Sequence, residues 1–188
     1  MVLVGLTGKA GSGKSTAAQF LDACGFYEFT LADPLKNACQ HIFNLTSDQL
    51  YDQEQKEIID PRWGFSPREL LQIVGTDLFR NHFGHDIWID NLHQRITAIL
   101  DVDDENVKVV ISDLRFSNEV DWVLEQGGYV LHLVRDTTTA RGSAAAHKSE
   151  MYVPPTTGGN VITIENNGTI DQLQNQIESF VLNTLKGK

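Results

Sequence analysis

Eight consecutive residues, Gly8-Lys9-Ala10-Gly11-Ser12-Gly13-Lys14-Ser15, match the pattern G-x-x-x-x-G-K-[ST] at every fixed position. The residue types account for the chemistry. Glycines let the backbone wrap closely around phosphate oxygens, so Gly11, Ser12 and Gly13 can turn their N–H groups inward. A helix starting at Lys14 would aim its positive end at the same anions. Lys14 adds a mobile charge for the β- and γ-phosphates, Ser15 a hydroxyl for Mg²⁺, and Thr16 is placed to reach the α-phosphate. The loop therefore predicts a bound nucleoside triphosphate without saying what is done with it.

Guanine-reading and switch motifs are missing. There is no Asn-Lys-x-Asp, and no Asp-x-x-Gly follows Asp113. Phosphoryl transfer to a second small molecule instead needs polar and basic residues that face the loop and hold an acceptor in line. Asp33 and Lys36 follow the second predicted strand; Lys36 can meet an acceptor phosphate or sit as a solvated helix lysine. Arg68 lies in the first turn of a capped helix, where it and the helix N-terminus can face an anion. Gln72, Thr76, Asp77 and Arg80 follow at helical spacing, and Gly75 leaves room for close approach. Such a polar flank suits a nucleobase, with Trp88 as a stacking wall or as plain core.

Asp113-Leu114-Arg115 is the other cluster. Asp113 can hold Mg²⁺ through water or orient the acceptor, Arg115 can neutralise phosphate, and a structural salt bridge between them is the alternative. Glu119, one helical turn on, can bond a sugar hydroxyl or fix Arg115. Arg135 and Arg141 are candidates to cover the transferring group from a lid that closes with His147-Lys148-Ser149-Glu150.

These residues need elements to position them. Val2–Thr7 reads as a buried strand and Lys14–Ala23 as the helix after the loop. Phe26–Leu31 reads as a second strand, with a Pro34-containing helix after it. Ser66-Pro67-Arg68-Glu69 is a strong helix start, with Ser66 as N-cap and Glu69 completing a capping box. A helix follows over Ile87–Leu100, then strands at Val107–Ser112, Tyr129–Val134 and Val161–Ile164, and a last helix opened by Thr169 with Gln172. Strands alternating with helices predict an α/β fold of three layers around a mostly parallel sheet, with ligands beyond the strands' carboxyl ends. Residues 1–188 are expected to form a single domain, with a helical acceptor region at about 33–100 and a lid at about 135–160.

The 188 residues carry 15 Lys+Arg against 25 Asp+Glu, a net charge of -10, with 41% hydrophobic and 21% charged residues. This balance disfavours a nucleic-acid polymer or an anionic membrane as partner, but not a mononucleotide. Two cysteines, Cys24 and Cys39, without metal spacing, and the lack of a leader-like or membrane-spanning stretch, predict a cytoplasmic protein.

Several stretches together resemble the phage-type deoxynucleoside monophosphate kinases. They are the phosphate loop, Leu31-Ala32-Asp33-Pro34-Leu35-Lys36, Arg68-Glu69-Leu70-Leu71-Gln72-Ile73-Val74-Gly75-Thr76-Asp77, Trp88, Asp113-Leu114-Arg115 with Glu119, His147-Lys148-Ser149-Glu150, and Ile164-Glu165-Asn166-Asn167-Gly168. The resemblance implies ATP- and Mg²⁺-dependent phosphorylation of a deoxynucleoside monophosphate. It implies monophosphate contacts at Arg68, Gly75, Thr76, Trp88, Asp113, Arg115, Glu119 and Glu150, and puts Asn166 near the adenine. It also allows a homodimer, and the host cytoplasm as location if the protein is phage-encoded. Thr46 to Pro61 departs from the pattern, being short and acidic where relatives carry longer insertions. A kinase of another phosphorylated acceptor (dephospho-coenzyme A or phosphomevalonate) and a non-catalytic nucleotide-binding module remain as alternatives.

Overall fold

A computed structural model describes residues 1–100, 104, 106–136 and 159–185. The chain runs β1 (Val2–Thr7), α1 (Lys14–Ala23), β2 (Tyr27–Phe29), α2 (Asp33–Phe43), α3 (Ser47–Tyr51) and a 3₁₀ turn at Gln55–Glu57. Next come α4 (Pro67–Gln72), a π-helical stretch Ile73–Arg80, α5 (Asn81–Phe83) and α6 (Ile87–Ile99). β3 (Lys108–Leu114), α7 (Ser117–Glu125), β4 (Tyr129–Val134), β5 (Val161–Glu165) and α8 (Ile170–Phe180) complete it, with looser turns at Val181–Leu185.

The five strands form one sheet in the order β2-β3-β1-β4-β5, every pair parallel. The chain moves from β1 to one side and later to the other, so the ends of β1 and β3 flank a crevice where open α/β sheets hold ligands. Apolar runs such as Val109-Val110-Ile111 suit a sheet covered on both faces. On one face Ala17, Ala18 and Leu21 of α1 join Leu173, Ile177 and Phe180 of α8 over Val4, Leu6 and Leu131. On the other, Trp88, Leu92 and Ile96 of α6 and Val120 and Val123 of α7 cover Leu3, Val109 and Ile111. A third, smaller cluster of Cys39, Leu45, Leu50, Leu70 and Val74 gives the α2–α4 region its own core.

Local signals produced the expected starts. Ser66 and Glu69 form a reciprocal capping box, as do Thr169 and Gln172, and the same device at Thr46 and Gln49 opens α3. Two elements differ from expectation. β2 is only three residues long because the N–H groups of Leu31 and Ala32 turn away from the ladder to the carboxylate of Asp113. The helix after Ser66 does not stay regular: it widens over Ile73–Arg80, which brings Gly75, Thr76 and Arg80 to the cavity beside Arg68, Leu71 and Gln72 of the regular part.

Ile177 is fully buried where α8 meets α1 and the sheet. Ile177→Ala should lower unfolding free energy by about 2–5 kcal/mol. Denaturant titration would show this as a lower midpoint at an unchanged slope; a wild-type midpoint would contradict the packing described.

Candidate active site

One cavity of about 720 Å³ opens at the carboxyl ends of the strands. Its floor is the phosphate loop, one wall is the β2–α2 connection, another is the α4 segment, and the end of β3 with Arg115 closes the back. Of the residues expected at the site, Gly11, Gly13, Lys14, Ser15, Thr16, Asp33, Lys36, Arg68, Gln72, Gly75, Thr76, Trp88, Asp113, Arg115, Glu119 and Arg135 line it. Ser12 and Asn166 do not. Arg141 and Glu150 lie outside the described residues, as does most of the expected lid.

The loop takes the form a phosphate cradle requires. Lys14 folds across it, its Nζ donating to the carbonyls of Gly8 at 2.6 Å and Lys9 at 2.9 Å. Within the loop the Ser12 N–H donates to the Lys9 carbonyl at 3.1 Å, closing a turn around the lysine's contacts. Gly13 adopts φ 103°, and a Cβ there would stand 2.3 Å from Asn166 Nδ2. Asn166 was expected beside the adenine. Its buried amide donates to the Ser12 carbonyl at 2.9 Å, bracing the loop from behind in the space Gly13 leaves open. The buried Ser12 Oγ has no hydrogen-bond partner among the described residues.

Asp113 ties two walls together. Its Oδ1 accepts from Leu31 N–H at 2.8 Å and its Oδ2 from Ala32 N–H at 3.0 Å. This fixes the start of α2, which carries Asp33 and Lys36, against the end of β3. Burial pushes the Asp113 carboxyl up, while the two N–H groups and the charges of Arg115 and Lys36 oppose that. Each oxygen keeps a further lone pair for a ligand.

Glu119 anchors the loop after β3. Its Oε2 accepts from the N–H groups of Arg115 at 2.6 Å and Phe116 at 3.1 Å. Its Oε1 forms a buried ion pair with Arg80, so of the two uses expected for it the described contacts serve Arg115 rather than a sugar. Arg80 also donates to the His85 carbonyl at 2.6 Å and lies 4.1 Å over the Phe116 ring. Burial pushes the Glu119 carboxyl up and the Arg80 charge pulls it back.

The acceptor end is built on α2 and α4. Lys36 Nζ sits 4.5 Å over the Tyr51 ring, and Arg68 pairs with Glu57 at 2.5 Å. Trp88 is mainly core: its indole N–H donates to the Gly75 carbonyl at 2.9 Å and its ring packs on Phe79. The close approach that Gly75 allows is by Leu35, since a Cβ there would meet Leu35 Cδ2 at 2.5 Å. Tyr51, Gln53 and Lys56 also line the cavity and were not assigned to the site from sequence, while Arg80, read there as part of the polar flank, is committed to Glu119. For Lys56 one signal existed: it is the only cation between Thr46 and Asp60.

Among the described residues no cluster of three or more His, Cys, Asp or Glu side chains could hold a metal ion, and no helix is long and apolar enough to cross a membrane. Ser15 and Asp113 line the cavity and offer oxygen donors of the kind a Mg²⁺ ion carried in on a nucleotide's phosphates would need.

The parallel order 2-3-1-4-5, a phosphate loop after β1 and a basic cavity beyond it define an α/β protein of the phosphate-loop kinase type. TT1252 from Thermus thermophilus shares the fold, with a TM-score of 0.52 over 97% of both chains at 17% identity. Residues 43–177 match the family model for deoxynucleotide monophosphate kinase. The chain is 42% identical over 194 aligned positions, 97% of both proteins, to an Acanthamoeba polyphaga mimivirus protein provisionally described as a deoxynucleotide monophosphate kinase. It is 31% identical over 131 residues to the deoxynucleotide monophosphate kinase of Enterobacteria phage T4, 68% of this chain and 48% of that protein. The chain belongs to the deoxynucleotide monophosphate kinase family.

Arg80→Met strands the Glu119 charge and should cost about 3–5 kcal/mol at alkaline pH. A carboxyl whose folded-state pKa is raised favours the fold below its unfolded value and loses that contribution as pH rises. The variant should therefore recover stability relative to wild type on acidification. Equal losses at both ends of a pH series of unfolding curves would contradict the pairing.

Proposed function

We propose that the protein transfers the γ-phosphoryl group of ATP to the 5′-phosphate of a deoxynucleoside monophosphate. The observation that carries this is a single cavity with the phosphate loop at one end and Lys36, Arg68 and Arg115 at the other. The acceptor phosphate oxygen attacks the γ-phosphorus, the bond to the β-phosphate oxygen breaks, and ADP and a deoxynucleoside diphosphate result. The acceptor is already an anion, so no strong general base is needed and positioning of charge supplies most of the catalysis.

Lys14 would leave the loop carbonyls for the β- and γ-phosphates, with Gly11, Ser12, Gly13 and Thr16 donating N–H or O–H groups. Mg²⁺ held by Ser15, and by Asp113 through water, would neutralise charge on the transferring group. Arg115, set by Glu119, would lie on the acceptor side. Arg68 and Lys36 would hold the 5′-phosphate, and Asp33, Gln72, Gly75, Thr76 and Trp88 would shape the nucleoside pocket. Residues 33–100 then form the acceptor-binding region of a single domain. Arg135, which lines the cavity, would cover the transferring group; Arg141 and Glu150, also expected to act there, lie outside the described residues.

Lys14→Ala should lower turnover by at least about 100-fold while leaving the unfolding midpoint in place. A coupled ADP-release assay across deoxynucleoside and ribonucleoside monophosphates, dephospho-coenzyme A and phosphomevalonate checks the acceptor class. Release with deoxynucleoside monophosphates is expected. Release confined to one of the last two compounds would overturn the reading.

A further inference from the structure

Lys56 stands on a turn that is built rather than slack. Asp52 Oδ1 accepts from the N–H groups of Glu54 and Gln55, each at 2.9 Å, and the Lys56 N–H bonds the Asp52 carbonyl at 3.2 Å. Glu57 is tied to Arg68 of α4. The half-buried Lys56 side chain lines the cavity. Three other cations bear on it: Lys36 from α2, Arg68 from α4 and Arg115 from the loop after β3. Glu57 is committed to Arg68, Asp113 to two backbone N–H groups and Glu119 to Arg80, while Glu28 and Asp33 also line the cavity. Asp52 is the one acid that offsets the repulsion on Lys56. Four cations from four parts of the chain around one cavity form a site for a multiply charged anion.

We propose that Lys56 is a further acceptor ligand, completing with Lys36, Arg68 and Arg115 the site for the monophosphate's 5′-phosphate. The inference rests on the acceptor reading above. Burial, followed by the charges of Lys36, Arg68 and Arg115, lowers the Lys56 ammonium to about 8. An arriving phosphate dianion cancels that repulsion and holds Lys56 protonated, so near and above pH 8 the acceptor binds with uptake of a proton. Acceptor affinity should then weaken as pH rises through about 8.

The test is steady-state kinetics of wild type, Lys56→Met and Lys56→Arg over a pH series, with unfolding midpoints measured alongside. At neutral pH, Lys56→Met should raise the KM for the deoxynucleoside monophosphate by about 10- to 100-fold and leave the KM for ATP within about twofold. The wild-type acceptor KM should climb as pH passes through about 8. That rise should vanish in Lys56→Met and in Lys56→Arg, whose charge persists, with the arginine variant keeping the low KM. An unchanged acceptor KM in Lys56→Met, with wild-type transfer intact, overturns the inference and spares the acceptor reading. So does the same alkaline rise in Lys56→Arg, which a folding-deficient Lys56→Met would not obscure. Absence of transfer by wild type to any deoxynucleoside monophosphate would overturn both.

Discussion

Two polyanions must meet in one cavity of a protein whose net charge is -10. A pair of unit charges 4 Å apart repels by about 4 kcal/mol at an effective dielectric of 20, and a triphosphate facing a monophosphate multiplies that. The arrangement of the site follows from offsetting this repulsion. In the proposed arrangement Lys14 serves the donor end, and Lys36, Lys56, Arg68 and Arg115, which line the same cavity, serve the acceptor end. Of the acidic residues at the cavity, Asp113 and Glu119 are turned to other uses, while Glu28 and Asp33 also line it.

Those other uses explain two carboxylates, half-buried Asp113 and buried Glu119, that would otherwise oppose the site. Asp113 and Glu119 sit at or behind the cavity wall, yet each accepts two backbone N–H groups. Each thereby joins segments distant in sequence: Asp113 links β3 to the start of α2, and Glu119 links α7 to the turn that carries Arg115. Arg80 balances Glu119 from the π-helical stretch, so the acceptor wall and the β3–α7 loop hold each other in place. Asn166 does the same for the phosphate loop through the Ser12 carbonyl. A buried pair of this kind is better regarded as a device for position than as a source of stability.

Features written in neighbouring residues were legible in the sequence. The phosphate loop, the Ser66–Glu69 and Thr169–Gln172 capping boxes and the alternation of strands and helices each depend on spacings of a few residues. Features made by distant partners were not. The shortness of β2 depends on Asp113, 82 residues from Leu31, and the placement of Asn166 depends on Ser12, 154 residues away. Gly75 and Trp88 carried the right residue types, but their immediate neighbours are Leu35 and each other. Lys56 was hidden by the acidic segment around it, and only the fold turns its side chain toward Lys36, Arg68 and Arg115.

The central claim is that donor and acceptor share one continuous cavity, held together by its cations. Titration calorimetry with a bisubstrate compound, adenosine joined to a deoxynucleoside through a five-phosphate bridge, tests it most directly. The account predicts one molecule bound per chain, displaced by ATP and also by a deoxynucleoside monophosphate. A compound displaced by ATP but indifferent to any monophosphate would contradict it, because the two ends of the cavity would then not belong to one site.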